Sequence, residues 1–166
     1  LQAMAAQFSP PLELVAPAMT TFNADNAWLL DFFSNCSMLP ECYPDNIKHL
    51  NFHDYSGGDL VAKANAVAKR WPGRKIWITE FSAGANNYGR DAQDSFMKDT
   101  LPKLEECSNV FRYSWFGLRN TPQPWVGVDN LLPLWVPGAP VNRLSVNLTS
   151  TGRLYASLPD EKYSVV

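Results

Sequence analysis

The sequence predicts an α/β fold built around a parallel sheet, and three observations carry that prediction. Four short apolar runs start near residues 12, 47, 75 and 110, each roughly thirty residues after the last, the length of a strand–helix unit. The three gaps between them each hold a stretch whose apolar residues recur at helical spacing. The third run, Lys75-Ile76-Trp77-Ile78-Thr79-Glu80-Phe81-Ser82, is rich in β-branched and aromatic residues, as suits a strand covered on both faces. The chain of 166 residues is long enough for one ordinary domain, and at 46% hydrophobic it can bury a substantial core.

The elements follow in order. Leu1, Met4, Ala5 and Phe8 share one helical face, and Ser9-Pro10-Pro11 ends that segment. Leu12–Ala16 reads as a short strand. Asp25 is the expected N-cap of a helix with Trp28, Leu29, Phe32 and Phe33 on its apolar side. In Ile47–Tyr55, Leu50 and Phe52 alternate with Asn51 and His53, a strand with one polar face. Ser56-Gly57-Gly58 breaks it, and Asp59 caps a helix that turns Leu60, Val61, Ala64, Val67 and Ala68 inward and Lys63, Lys69 and Arg70 outward. Pro72-Gly73 stops that helix before the Lys75 strand. Asp91 or Asp94 is expected to start the next helix, with Phe96, Met97, Leu101 and Leu104 inward and a bend at Pro102. Val110–Phe116 is the fourth strand. Residues 117–151 hold five prolines with Trp125 and Trp135 between them, a long loop of the kind that is usually functional or disordered; the tryptophans favour the first. Ser150 or Thr151 opens a last helix through Leu154, Tyr155 and Leu158. Residues 1–158 are expected to form the domain and 159–166 a tail.

Composition removes several classes of partner. A net charge of −2 gives no footing for nucleic acid or an anionic membrane. No apolar run is long enough to span a bilayer. The first residues lack the basic start and apolar core of a signal peptide, so the chain is expected to be processed, trimmed or part of a longer protein. Cys36 and Cys42 are close enough to staple the loop after a helix, and three reduced cysteines, Cys107 included, are the alternative. Asn35-Cys36-Ser37 and Asn147-Leu148-Thr149 are N-glycosylation triplets, which lean toward a secreted glycoprotein.

The chemistry gathers at strand ends. Glu80 closes an otherwise apolar strand, where a charge is costly to bury without a purpose. In α/β folds the C-terminal ends of parallel strands are where ligands bind. His53 and Tyr55 end the second strand, and Trp115 and Phe116 the fourth. If the strands are parallel neighbours, these groups share one rim. A carboxylate among hydrogen-bonding and aromatic side chains suits a sugar. Retaining glycoside hydrolysis needs two carboxyl groups about 5–5.5 Å apart. Glu80 is a candidate for one. Glu13, Asp54 and Asp129 are available for the other, and none has a persuasive context. Other chemistries fare worse. His49 and His53 share a strand face, but two histidines without a third ligand do not make a metal site. Gly-x-Gly-x-x-Gly, a P-loop and Gly-x-Ser-x-Gly are all absent, so no cofactor is expected.

Five blocks occur in order: Trp28-Leu29 with Phe32 and Cys36; His53-x-Tyr55; Ile76-Trp77-Ile78-Thr79-Glu80-Phe81; Arg112-Tyr113-Ser114-Trp115-Phe116; and Leu148-Thr149 with Gly152 and Tyr155. Together they resemble glycoside hydrolase family 128, the endo-β-1,3-glucanases akin to a fungal cell-wall protein of the alkali-sensitive-linkage type, over about residues 10–156. The resemblance implies a (β/α)8 TIM barrel of which this chain supplies four βα units, strands five to eight, with residues 12–16 as the fifth strand. It implies that Glu80 is the nucleophile, that His53 and Tyr55 orient it or the sugar, and that Trp115 floors the cleaved subsite. Trp125 and Trp135 would line the glucan groove or pack beneath their own loop.

One part of the family pattern is missing. The family's acid/base is a Glu in an Asn-Glu-Pro motif after the fourth strand, and this sequence contains no Asn-Glu pair. A whole barrel takes about 250 residues, so this chain matches the second half. Two readings follow. In one, the chain is the nucleophile half of a retaining β-1,3-glucan hydrolase, completed by an N-terminal half-barrel or a second chain. In the other it is a non-catalytic glucan-binding or structural half-barrel that self-associates or pairs with another chain. Both place it outside the cell, secreted or at the cell wall or surface, with β-glucan as ligand.

Overall fold

The computed structural model describes residues 2–84, 89–117 and 148–158. Its elements are α1 (Gln2–Ala5), β1 (Leu14–Met19), α2 (Ala27–Met38), β2 (Ile47–Asp54), α3 (Leu60–Arg70), β3 (Lys75–Phe81), α4 (Arg90–Glu106), β4 (Val110–Trp115) and α5 (Ser150–Ser157), with a 3-10 turn at Pro44–Asn46. The strands form one parallel sheet in the order β1-β2-β3-β4. Crossovers in parallel sheets are right-handed. Three of them stepping the same way put α2, α3 and α4 on one face, the arrangement of half a barrel wall.

That face holds the core. Leu50, Phe52, Ile76 and Ile78 are fully buried, and they join Leu29, Leu60, Val67, Met97 and Leu104 from the helices in one apolar cluster. Phe22 stacks on Phe52 with ring centroids 4.8 Å apart. The opposite face carries Asn51, His53, Trp77 and Thr79, all partly buried.

The register contains the feature that makes the site. Phe52 pairs with Ile78, yet His53, the next residue of β2, pairs with Glu80. Thr79 is therefore the extra residue of a bulge, and bulges re-aim the side chains that follow. Strict alternation from Ile76 and Ile78 would drive Glu80 into the helix-side core. The bulge hands that place to Phe81, which is fully buried, and leaves Glu80 beside His53. The Thr79 hydroxyl donates to Asn51 Oδ1 at 2.8 Å, tying the bulge to β2.

Several boundaries move from their expected places. Asn26, not Asp25, caps α2, its Oδ1 accepting from the Leu29 N–H at 3.1 Å. Asp25 instead lies 3.4 Å from Arg70. Gly89 precedes α4 and offers no side-chain cap, while Asp91 sits in the first turn and Asp94 accepts from Thr151. The helix runs on through Pro102 to Glu106. Thr149 caps α5 by accepting from the Gly152 N–H at 2.9 Å. The first helix is only four residues, and of the described residues on the apolar face read over 1–8, Ala5 is buried while Met4 and Phe8 stay exposed. Asp59 caps α3 as expected. Cys36 and Cys42 form a disulfide, and Cys107 is buried outside it. No helix among the described residues is long and apolar enough to cross a membrane. The expected tail and most of the 117–151 loop lie outside the described residues.

Candidate active site at the C-terminal rim

Glu80 is the centre of a small polar group at the C-terminal ends of β2 and β3. Its Oε2 accepts a hydrogen bond from the Tyr55 hydroxyl at 2.5 Å. The same oxygen lies 3.3 Å from His53 Nδ1, and both side chains stay partly open to solvent. The Tyr55 phenol is pushed well above the ordinary tyrosine range, first by burial, then by its hydrogen bond to the Glu80 carboxylate and by that negative charge. The phenol is the donor of this bond, and Glu80 is held as an acceptor on one oxygen. Phe116 meets the Tyr55 ring edge-on, centroids 5.6 Å apart, and braces it from the far side.

The position of Tyr55 depends on the residues beside it. Asp54 is buried and does not face Glu80. Its Oδ1 accepts from the Ser56 N–H at 2.8 Å and the Ser56 hydroxyl at 2.7 Å, and its Oδ2 pairs with Lys63 of α3. This rules it out as a second carboxylate for the reaction. Glu13 is no better placed: it holds His49 Nε2 at 2.7 Å, just ahead of β1, at the other end of the strands from Glu80. Asp129 lies outside the described residues. No group of three or more potential metal ligands occurs among the described residues.

The structure thus brings His53, Tyr55 and Glu80 together and leaves Trp115 apart. The Trp115 ring is only 4% exposed and packs on Phe81 and Phe96, on the helix side of the sheet. It is core here, and the aromatic beside Tyr55 is its neighbour Phe116. Trp125, Trp135 and the triplet residue Asn147 lie outside the described residues; Asn35 is exposed on α2. Sequence reasoning assigned Lys63 to the outward face of α3, whereas its ammonium group turns back to Asp54 and Ser56. A long aliphatic stem allows that return, and the only signal in the sequence was an acidic residue one strand back.

A model of the glycosyl hydrolase catalytic core matches residues 2–155. The chain belongs to that family. Its fold is similar to that of a subgroup II GH128 endo-β-1,3-glucanase from Pseudomonas viridiflava, at 29% identity and a TM-score of 0.69, over 95% of this chain and 58% of that one. A subgroup II enzyme from Sorangium cellulosum matches at 24% identity and 0.66, over 91% and 57%. A subgroup I enzyme from Amycolatopsis mediterranei, solved with laminaripentaose, matches at 21% and 0.64, over 90% and 59%. These last two likenesses show the fold alone. The chain spans less than three fifths of the length of each of these relatives. No curated protein matches its sequence. The part of the glycosyl hydrolase core that it contains runs from α1 to α5 and includes the His53, Tyr55 and Glu80 group.

Proposed function

We propose that this chain is the nucleophile half of a retaining β-1,3-glucan hydrolase. One observation carries the reading: a glutamate at the C-terminal end of a parallel strand, re-aimed by a bulge and held by a tyrosine hydroxyl and a histidine. That rim is where barrel enzymes keep their chemistry. Strands β1–β4 correspond to strands five to eight of the barrel, and an N-terminal half or a second chain supplies the rest. Glu80 attacks the anomeric carbon and forms a glycosyl-enzyme ester. A carboxylic acid from the other half protonates the departing oxygen and then activates water. Tyr55 and His53 hold one Glu80 oxygen so that the other faces the sugar. Similar structures contain laminari-oligosaccharides, which supports β-1,3-glucan as the ligand.

Glu80→Gln in the whole protein tests this. It is expected to abolish release of reducing ends from β-1,3-glucan while glucan binding stays nearly intact. Full turnover by that variant removes Glu80 from the mechanism.

A second reading is favoured by the absence of an Asn-Glu pair and of a second usable carboxylate beside Glu80 among the described residues. Here the chain binds glucan without cleaving it. Release of reducing ends by the isolated chain would exclude that reading. In both, the site of action is extracellular, secreted or at the cell wall, since the Cys36–Cys42 disulfide and the exposed Asn35 triplet suit an oxidising compartment.

A further inference from the structure

Tyr55 lies one residue beyond the end of β2, so no sheet ladder holds it. Its hydroxyl nevertheless meets Glu80 at 2.5 Å. Something else must fix the backbone between Asp54 and Gly58. The structure contains two such constraints, on opposite sides of Tyr55.

The first is a closed polar clamp. Asp54 accepts from the Ser56 N–H and hydroxyl on one oxygen and from Lys63 on the other. Lys63 also donates to Ser56 Oγ at 2.7 Å, and the Gly58 N–H reaches the same Oγ at 3.2 Å. Ser56 thus uses its one donor and both lone pairs, the full capacity of a hydroxyl. The Asp54 carboxylate is only 3% exposed, so Lys63 is its neutralising partner as well as a ligand. A buried carboxylate stripped of its cation must move, protonate or draw in water. Each of these loosens the turn that carries Tyr55.

The second is a close approach from the loop after β3. Gly84 has φ +85°, and a Cβ there would lie 2.2 Å from the Tyr55 carbonyl oxygen and 3.0 Å from the Gly57 nitrogen. The Ser82 N–H donates to the Asp54 carbonyl at 3.3 Å, joining the two loops. The strand that presents Glu80 and the turn that presents Tyr55 are therefore locked together from below by Lys63 and from the side by Gly84.

We propose that Lys63 is a positioning residue for the Glu80 site: through Asp54 and Ser56 it sets the turn that delivers the Tyr55 hydroxyl to the Glu80 carboxylate. The proposal rests on the glucanase reading for its kinetic consequence, but not for its structural one.

The experiment compares Lys63→Met, Lys63→Arg and Glu80→Gln in the whole protein. Two readouts are taken: kcat and KM on a β-1,3-glucan oligosaccharide, and the alkaline titration of the Tyr55 ring by NMR with labelled tyrosine, assigned with Tyr55→Phe. Lys63→Met is expected to lower kcat about tenfold, the scale of one weakened charge-assisted hydrogen bond, with KM little changed. The Tyr55 titration should move back toward that of the other tyrosines. Lys63→Arg should restore most of both. If Lys63→Met does not fold, Asp54→Leu combined with Lys63→Met removes both charges and is expected to show the same two losses. A folded variant with Tyr55 titrating as in the wild type overturns the proposal. If the wild type hydrolyses nothing, or Glu80→Gln is fully active, the glucanase reading fails instead, and the Tyr55 titration alone still decides on Lys63.

Discussion

Tyr55→Phe isolates one bond of the site. The change removes a hydroxyl and leaves the ring against Phe116. It deletes the 2.5 Å donor to Glu80 Oε2 and leaves His53 as the remaining neighbour at 3.3 Å. Hydrogen bonds to a charged group contribute roughly 1.5–3 kcal/mol, and short ones lie at the strong end. The Glu80 side chain is 34% exposed, so water can take the vacated place, which favours the lower figure. About 1.4 kcal/mol is a factor of ten in rate. On the proposed role of Glu80 as nucleophile, the expected result is a kcat about tenfold lower with KM nearly unchanged, because the lost bond is internal to the protein and would orient that carboxylate. Initial rates of reducing-end release by the whole protein, over a range of oligosaccharide concentrations, give both constants. A kcat within about a factor of two of the wild type would refute the idea that this bond orients Glu80. A rise in KM alone would mean that Tyr55 serves the sugar and not the nucleophile.

Three further outcomes follow from the same structure. The Tyr55 phenol is raised by burial and by Glu80, whereas an unfolded tyrosine ionises near pH 10. Below that pH both states keep the proton and no stability is lost; above it the unfolded chain sheds a proton that the folded chain retains. Stability should therefore fall as pH rises past about 10, by at most 1.4 kcal/mol per unit and less for a phenol partly in water, more steeply in the wild type than in Tyr55→Phe. Denaturant melts of both proteins through that range check this, and equal slopes would count against it. Phe52→Ala opens the fully buried centre of the sheet beneath Phe22 and should cost about 3–5 kcal/mol, read from the urea midpoint. Cys36→Ser combined with Cys42→Ser opens a loop of sequence separation 6 and should cost roughly 2 kcal/mol; an unchanged Tm would mean that the loop is held by its other contacts.

The alternation of strands and helices was legible because it rests on short-range chemistry. Ile76, Ile78 and Thr79 favour extended backbone, Asp59 caps a helix, and Pro72-Gly73 ends one. Glu80 was legible as a charge at the end of an apolar strand. The direction it faces was not, because that is set by one extra residue at Thr79, and a bulge has no strong local signature. Trp115 and Phe116 show the same limit. Either could end a strand facing the rim, and only the register with β3 sends Trp115 into the core beside Phe81. Asp25 and Asn26 are equally good N-caps by residue type, and the path of the preceding loop decides between them. Lys63 read as an outward charge because helical periodicity locates its Cα and not the end of a flexible side chain.

The two faces of the sheet differ in a way that bears on how the site is completed. On the helix side, buried apolar groups of the sheet and the helices cover one another, and Trp115 Nε1 and Glu105 Oε2 are buried there without a hydrogen-bond partner among the described residues. On the other side, His49 Nδ1 and Trp77 Nε1 are buried without a hydrogen-bond partner among the described residues. Phe111 packs on the His49 ring and is still 38% exposed. A buried donor or acceptor left unmade costs about 1–3 kcal/mol, and exposed strand edges invite pairing. Apolar Met4, Phe8 and Leu12 are also exposed, next to β1 in the chain. His49, Trp77 and Phe111 contact one another on the face that bears His53 and Glu80, and β1 is an edge of the described sheet. On the proposed reading, a barrel closed on that face would cover these groups and bring the second carboxylate opposite Glu80 in one step. One step would therefore answer both the open packing and the lack of a second usable carboxylate among the described residues, which is why we prefer the nucleophile-half reading to a free-standing binding sheet.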